Sequence, residues 1–168
     1  MAKYLIKQGK HTSGLRFWFT RQDHISFTCT FDASCLYSLP LTADYNHNYD
    51  INKLYGFSTT YNHHNQSARI GWRCLDGKSI ELLTYTYNNH VRDAEDTVLG
   101  TVLPGQQFQC TITDCETYYL YSFTLGEDTT KVMKKKQPDK VWFKYELKPY
   151  FGGDYPAPHA MSFTLTHS

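Results

Sequence analysis

The chain has 168 residues, of which 40% are hydrophobic and 20% are charged, and 17 Lys+Arg against 16 Asp+Glu give a net charge of +1. This length suits one domain, which we place over residues 1–168, because it can bury a sizeable core but is short for two. The balanced charge excludes an acidic disordered chain and a generally basic nucleic-acid coat protein, so we expect no long nucleic acid as partner.

Aromatic and alternating patterns favour β-structure along the whole chain. The sequence contains 14 Tyr, 10 Phe and 3 Trp, whose flat side chains suit a half-buried pleated surface. Apolar and polar residues alternate at every second position, which indicates strands with one buried face. In chain order, the predicted strands cover residues 15–20, 25–31, 53–57, 68–74, 80–87, 97–103, 107–112, 118–125, 141–147 and 161–166.

About ten short strands separated by turn signals predict an all-β fold, an antiparallel two-sheet β-sandwich of the jelly-roll-like type. The only helical candidate is a short segment near residues 91–96. The run Lys134-Lys135-Lys136 precedes a proline-containing turn, and we interpret it as a solvated turn.

The chain offers no sign of membrane insertion or secretion. No apolar run approaches the roughly 20 residues that cross a bilayer, and the first residues lack the apolar stretch of a signal peptide. We therefore expect a soluble, cytoplasmic protein without a membrane partner. Its five cysteines lack C-x-x-C spacing, so we interpret them as reduced, small hydrophobic side chains: Cys29, Cys35, Cys74, Cys110 and Cys115.

The first candidate site lies in the second half of the segment YGFSTTYNHHNQSARIGWR, which covers residues 55–73. Strand side chains alternate between faces, so Arg69 and Arg73 share one face while Ala68, Ile70 and Trp72 share the other. The two arginines would lie about 13 Å apart along the strand, which suits two phosphates, or a phosphate and a carboxylate. We predict that both arginines bind an anionic ligand. The alternative is a solvated face with weak surface ion pairs.

The hairpin after this strand brings in a further candidate. If Asp76-Gly77 forms a two-residue turn, Arg69 pairs with Thr84 on the next strand. Thr84 would then offer a hydroxyl beside the arginines, and we predict it as a ligand contact.

Two adjacent histidines precede the arginine strand. An imidazole titrates near neutral pH and can exchange protons there. We predict His63 and His64, together with His159 from a second loop, as acid/base catalysts, and the neighbouring Asn65 as a ligand contact. The alternative is a pair of exposed histidines hydrogen-bonded to water.

The second candidate loop covers residues 148–159 and contains two glycines and two prolines. Glycines permit close approach of a ligand, and prolines stiffen the segment. We predict that Tyr150, Phe151 and Tyr155 stack on a base or sugar ring, and that Asp154 or His159 orients a polar group. The alternative is a turn packed by its own aromatic rings.

Together, the segments KLYGF…HHNQSARIGWR and PYFGG…APH resemble a group of small uncharacterised bacterial and phage-encoded proteins over roughly residues 50–166. The resemblance implies a compact jelly-roll-like sandwich. For a phage-encoded member, it also implies a role against host defence in the host cytoplasm. It assigns no reaction and no catalytic residue.

These residues support a leading functional hypothesis and several alternatives. We expect the protein to bind a phosphate-bearing small molecule such as a nucleotide or cyclic nucleotide signal, with or without cleaving it. Cleavage would be a phosphodiesterase reaction without metal or cofactor, in which one neutral and one protonated imidazole act together. One alternative is a carbohydrate-binding or polysaccharide-lyase-like domain, in which Arg69 neutralises a uronate carboxylate while His64 and Tyr150 handle protons. Another is a structural phage or interaction protein.

Two further questions stay open at this point. A metal site from His63, His64, His159 and Asp154 is disfavoured because the ligand spacings i, i+2 and i, i+4 are missing. A homo-oligomer is compatible with the sequence.

Overall fold

The computed structural model describes residues 2–14, 18–139 and 141–167, and the chain is all-β over these residues, as predicted. The described residues form thirteen strands, a few more than expected. The strands are β1 Ala2–Ile6, β2 Phe19–Thr20, β3 His24–Phe31, β4 Asn52–Ser58, β5 Gln66–Arg73, β6 Ile80–Asn88, β7 Val91–Arg92, β8 Val98–Val102, β9 Gln107–Cys115, β10 Tyr118–Leu125, β11 Asp128–Lys135, β12 Lys144–Leu147 and β13 Met161–His167. One-turn 3-10 helices at Ala33–Cys35 and His47–Tyr49 precede β4. No helix in the described ranges has the length and apolar character needed to cross a bilayer.

The strands pair antiparallel in two sheets that pack face to face, which confirms the predicted sandwich. The six-stranded sheet has the order β1-β13-β3-β9-β10-β11, and the seven-stranded sheet has the order β2-β12-β4-β5-β6-β7, with β8 also beside β6. Aromatic rings join the two sheets across the core: centroid distances are 5.1 Å from Phe31 to Trp72 and 5.7 Å from Phe27 to Tyr55. Four cysteines lie in the same core, namely Cys29, Cys35, Cys74 and Cys110.

The sequence pattern misses both edge strands of the six-stranded sheet. Most side chains of β11 are exposed, so this strand lacks the apolar alternation that marks a buried face. The predicted helix near residues 91–96 is wrong, because Val91 and Arg92 form the short strand β7 against the end of β6. Of the predicted strand at residues 15–20, positions 15–17 lie outside the described residues, and β2 covers the last two positions.

The lysine run is not the solvated turn that its charge suggested. Lys134 and Lys136 are buried whereas Lys135 is exposed, because β11 directs alternate side chains to opposite faces. The Lys134 ammonium lies 3.0 Å from the Asp93 carboxylate and donates a hydrogen bond to the Glu95 carbonyl. The Lys136 ammonium lies 2.9 Å from the Asp114 carboxylate, so each buried ammonium is held by oxygen atoms.

The segment after β12 runs along β4 and extends the outer face of the seven-stranded sheet. Tyr150 exchanges two backbone hydrogen bonds with Lys53, at 2.8 and 2.9 Å. The Gly152 N–H donates to the Asn52 side-chain oxygen at 2.7 Å, and a Cβ at Gly152 would lie 2.1 Å from the Ile51 carbonyl oxygen. Only glycine permits this close approach, so the glycine pair of the PYFGG segment fixes the position of Tyr150 beside the sheet.

Candidate functional site

A cleft of about 450 Å³ opens on the outer face of the seven-stranded sheet. Lys53 on β4, Arg69 on β5 and Tyr85 on β6 contribute the sheet side of the cleft. The connection between β4 and β5 contributes His63 and His64. Four cationic or titratable groups and an aromatic ring thus come together from neighbouring strands and the loop between them.

The segment at residues 146–150 forms another side of this cleft. Its Glu146 carboxylate accepts hydrogen bonds from the Tyr55 hydroxyl and, at 3.2 Å, from the Lys148 ammonium. Its Tyr150 ring stacks on the His11 ring with 5.3 Å between centroids. The one carboxylate among the described lining residues is therefore already engaged by neighbours, and the Tyr150 ring is held in place.

Arg69 is the most buried charged group of the cleft, with 6% of its surface exposed. It lies across the position of Gly56 on β4, where an added Cβ would come within 2.8 Å of the Arg69 Cγ. Its Nη2 donates a hydrogen bond to the Lys148 carbonyl at 2.7 Å, whereas its Nε has no hydrogen-bond partner in the described part of the chain. Burial lowers the pKa of Arg69 to about 10.

Lys53 adds a second cation beside Arg69. Its ammonium lies 4.6 Å from the centroid of the Tyr85 ring and 5.8 Å from that of Tyr150. Burial lowers the pKa of Lys53 to about 8, and the positive charge of Arg69 acts in the same direction. Within the described ranges, neither Lys53 nor Arg69 forms an ion pair with a carboxylate.

The two loop histidines lie side by side at the cleft. Their ring centroids are 4.2 Å apart, and the His64 ring is 4.9 Å from that of Tyr87. Burial lowers the pKa of His63 to about 4, helped by the positive fields of His64, Arg69 and Lys53. At neutral pH, His63 is therefore an uncharged imidazole that can accept a proton or a hydrogen bond.

The structure brings together four of the predicted site residues: His63, His64, Arg69 and Tyr150. Asn65 is in the same loop, where its N–H donates to the Asn62 carbonyl and its carbonyl accepts from the His90 N–H. It is not among the described residues that line the cleft.

Thr84 does not lie beside Arg69, because the predicted hairpin register is wrong by one residue. β5 and β6 are joined over residues 74–79, where Asp76 accepts hydrogen bonds from two backbone N–H groups, and Arg69 consequently pairs with Tyr85. A shift of one residue moves every side chain to the other face of a strand. Thr84 is therefore buried toward the core and accepts a hydrogen bond from the Thr97 N–H.

Arg73 shares the outer face with Arg69, as predicted, but its surroundings differ. Its Nε donates a 2.9 Å hydrogen bond to the Glu81 carboxylate, and its guanidinium lies 5.4 Å from the Tyr49 ring centroid. It is outside the group of described residues around the cleft. Arg73 therefore forms an ion pair with a carboxylate, whereas Arg69 on the same strand face forms none within the described residues.

The predicted aromatic platform of the second loop is only partly present. Phe151 is fully buried in the core, with its ring 5.2 Å from Tyr37 and 6.3 Å from Trp72, so it cannot stack on a ligand. The Tyr155 ring packs against the His47 ring at 4.6 Å. Of the three predicted stacking rings, Tyr150 alone lines the cleft in the described structure.

His159 is not brought to the loop histidines. Its Nε2 is 2.8 Å from the Ser34 carbonyl oxygen, and Asp154 is exposed. The predicted acid/base pairing of His159 with His63 or His64 therefore has no support in the fold. Among the residues described, no group of three or more His, Cys, Asp or Glu side chains is arranged to hold a metal ion.

Sequence reasoning missed Lys53, Tyr85, Glu146 and Lys148. The pairing of β4 with β5 is irregular between Lys53 and Tyr55, and such a bulge breaks the alternation that would assign Lys53 to a face. Tyr85 was missed through the hairpin register. The alternation Thr84-Tyr85-Thr86-Tyr87 could have identified it. The sequence reasoning assigned the threonines, rather than the tyrosines, to the face that carries Arg69.

No protein-family model and no curated protein sequence matches the chain. Among solved structures, it is similar to a functionally unknown protein from Saccharomyces cerevisiae, with a TM-score of 0.48 and 12% identity over 99% of this chain and 88% of that chain. It is also similar to the exolytic alginate lyase AlyA5 from Zobellia galactanivorans, with a TM-score of 0.47 and 9% identity over 94% and 76% of the two chains. The CBM2 module of the evolved Dit from Lactobacillus casei BL23 phage J-1 gives a TM-score of 0.44 and 7% identity over 98% and 74%. These distant similarities assign neither a ligand nor an activity to this chain.

Proposed function

We propose that the cleft binds the carboxylate-bearing unit of an acidic oligosaccharide. The observation that carries this proposal is Arg69, a residue that is 6% exposed and whose Nε has no hydrogen-bond partner in the described structure. A buried charge without a counter-ion is unfavourable, and an anion that enters the cleft relieves it through charge-assisted hydrogen bonds. Lys53 supplies a second cation for the same anion.

The composition of the cleft favours a sugar acid over a nucleotide. The Glu146 carboxylate lies in the same lining, so one singly charged carboxylate suits the cleft better than the dianion of a phosphate monoester. Two of the three rings expected to stack on a base are unavailable, because Phe151 is in the core and Tyr155 packs on His47. The tyrosine hydroxyls and the neutral His63 suit the many hydroxyl groups of a sugar.

The neutral His63 beside two cations also supports a reaction, β-elimination at a uronate. Arg69 and Lys53 would neutralise the carboxylate, which acidifies the neighbouring C5–H bond. His63 would take that proton, the C4–O glycosidic bond would break as a C4=C5 double bond forms, and the hydroxyl of Tyr150 or Tyr85 would protonate the departing oxygen. No oxidant, reductant or metal enters this balance.

The binding proposal is tested by isothermal titration calorimetry with a mannuronate tetramer and, for comparison, uncharged chitotetraose. We expect binding of the mannuronate tetramer alone, and an affinity about 30-fold weaker in Arg69→Gln, which is the scale of a hydrogen bond to a charged group. Arg73→Gln is the matched control on the same strand face, and it should bind like the wild type.

Three outcomes would decide against the proposal. Equal binding of chitotetraose would show that charge is not recognised, and equal weakening in both arginine variants would remove Arg69 from its special role. Tight binding of a cyclic dinucleotide with no binding of the mannuronate tetramer would show that the cleft binds a phosphate-bearing ligand.

The elimination reaction is tested separately. Formation of the unsaturated uronate product is followed by its ultraviolet absorbance, and His63→Gln should abolish it.

A further inference from the structure

Exposed aromatic rings gather at the side of the seven-stranded sheet next to the cleft. Tyr61 in the β4–β5 loop is 82% exposed, and Phe143 before β12 is 47% exposed. The Tyr145 ring lies between them, with centroid distances of 6.0 Å to Tyr61 and 5.8 Å to Phe143. We call these three residues the ring cluster. Exposed contiguous apolar surface on a folded protein marks a place where something binds.

The ring cluster is continuous with the cleft. A second depression of about 350 Å³ is lined by Tyr61 and Tyr145, and it shares His63, Glu146 and Leu147 with the cleft. The two depressions therefore form one groove across the sheet, with the cations at one end and the rings at the other. A groove of this kind suits an extended chain better than a compact small molecule.

The two ends of the groove differ in charge. The described residues around the second depression include no Lys and no Arg, and their carboxylate, Glu146, already accepts hydrogen bonds from Tyr55 and Lys148. The Asn62 side chain adds an amide to this lining. The ring end thus offers apolar faces and neutral hydrogen-bonding groups. Its described residues include no cation that could bind a second carboxylate of the ligand.

We propose that Tyr61 and Tyr145 form a second subsite, which binds an uncharged sugar ring adjacent to the acidic unit held at Arg69. This inference rests on the proposed function and adds the order of units along the ligand. The apolar C–H face of a pyranose packs on an aromatic ring and removes apolar area from water, while its hydroxyls bond to neutral groups such as the Asn62 amide. The preferred ligand is therefore a chain in which a neutral unit lies next to an acidic one, as in an alternating polysaccharide.

The test compares two tetrasaccharides in the full-length protein by calorimetry. The hyaluronan tetrasaccharide alternates glucuronate with uncharged N-acetylglucosamine, whereas the mannuronate tetramer carries a charge on every ring. Tyr61→Ala should weaken hyaluronan binding about tenfold, and should change mannuronate binding by less than about twofold. Tyr61→Phe keeps the ring and should bind hyaluronan like the wild type. Tyr118→Ala, in β10 of the other sheet, is the matched control.

The outcomes separate this inference from the proposed function. If Arg69→Gln weakens both tetrasaccharides but Tyr61→Ala weakens neither, the cleft proposal stands and the second subsite is wrong. If the wild type binds neither tetrasaccharide, both proposals are wrong. If light scattering shows a wild-type dimer that Tyr61→Ala converts to a monomer, a second copy of the chain covers the ring cluster, and the subsite is wrong.

Discussion

The cleft can be compared with an ion cluster formed by Lys136, Lys144, Asp114, Asp139 and Asp23. The Lys136 side chain is 0% exposed, and its ammonium lies 2.9 Å from Asp114 Oδ1 and contacts Asp139 as well. The Lys144 ammonium lies 3.3 Å from Asp114 Oδ2 and 3.0 Å from Asp23. Here each buried ammonium has two carboxylate partners, and the network joins β9 to β12, to the β2–β3 connection and to the segment between β11 and β12.

The cleft buries cations without this compensation. Burial acts to lower the pKa of Lys136, but hydrogen bonds with Asp139 and Asp114 outweigh it and the pKa is raised. For Lys53, burial and the neighbouring Arg69 lower the pKa to about 8, and the more distant carboxylates of Asp50 and Asp96 do not restore it. Compensated burial stabilises the fold, whereas the cations of the cleft, which have no carboxylate partner in the described structure, are the basis of the proposed anion site.

Removing the shared carboxylate of the ion cluster is expected to give the largest effect. Asp114→Asn leaves two buried ammonium groups with one carboxylate partner each, and the free energy of unfolding should fall by about 3 kcal/mol. Urea unfolding followed by tryptophan fluorescence measures this change. Arg69→Gln serves as the comparison, because it removes a charge that has no carboxylate partner in the described structure. Loss of its hydrogen bond to the Lys148 carbonyl should lower the stability by about 1 kcal/mol or less. Equal destabilisation by both substitutions would end the distinction between the two regions.

Titration of Lys53 sharpens the comparison from the side of the cleft. Since its pKa is lowered to about 8, Lys53 loses its charge as the pH rises through 8, and affinity for the mannuronate tetramer should fall about tenfold by pH 9.5. In the free protein, the unfolded chain holds this proton up to pH 10.5, so the free energy of unfolding should rise with pH between 8 and 10.5.

Calorimetry and urea unfolding across this pH range measure the two effects. Both should be absent in Lys53→Gln. An affinity that is constant from pH 7 to 9.5 in the wild type would mean that Lys53 does not contact the anion.

The sequence predicted the sandwich because alternation is a local property that survives in every half-buried strand. The same reasoning placed Arg69 on the outer face, opposite Ala68 and Ile70, which are in the core. It failed where one residue of register decides the answer, as for Thr84 and Tyr85, since no local pattern fixes the length of a hairpin connection. Burial of charged groups could not be predicted from the sequence either, because Lys136 and Asp114 come together only in the tertiary fold.

The second loop shows the same limit for aromatic residues. Tyr150 and Phe151 are neighbours, and composition alone makes both of them stacking candidates. Backbone pairing of Tyr150 with Lys53 turns one ring to the cleft and its neighbour into the core beside Trp72. Which of two adjacent rings is available to a ligand follows from this pairing, and the sequence does not contain it in any local form.

The smallest expected effect concerns the proton on His63. Its pKa is lowered to about 4 from 6.5, so the unfolded chain binds more protons than the folded one between these values, and the His63 contribution to stability falls as the pH drops through that window. A carboxylate bound at Arg69 and Lys53 brings a negative charge near the imidazole and should raise the pKa of His63 by about one unit. Two-dimensional NMR of the histidine ring protons, with and without the mannuronate tetramer, measures this shift, and His63→Gln assigns the signal.

A His63 that titrates near 6.5 in the free protein would show that the cleft is open to water and that the cations beside it are too distant to act. A shift to lower pKa on binding would place the ligand's charge away from this end of the groove, against the arrangement in which the acidic unit lies at Arg69.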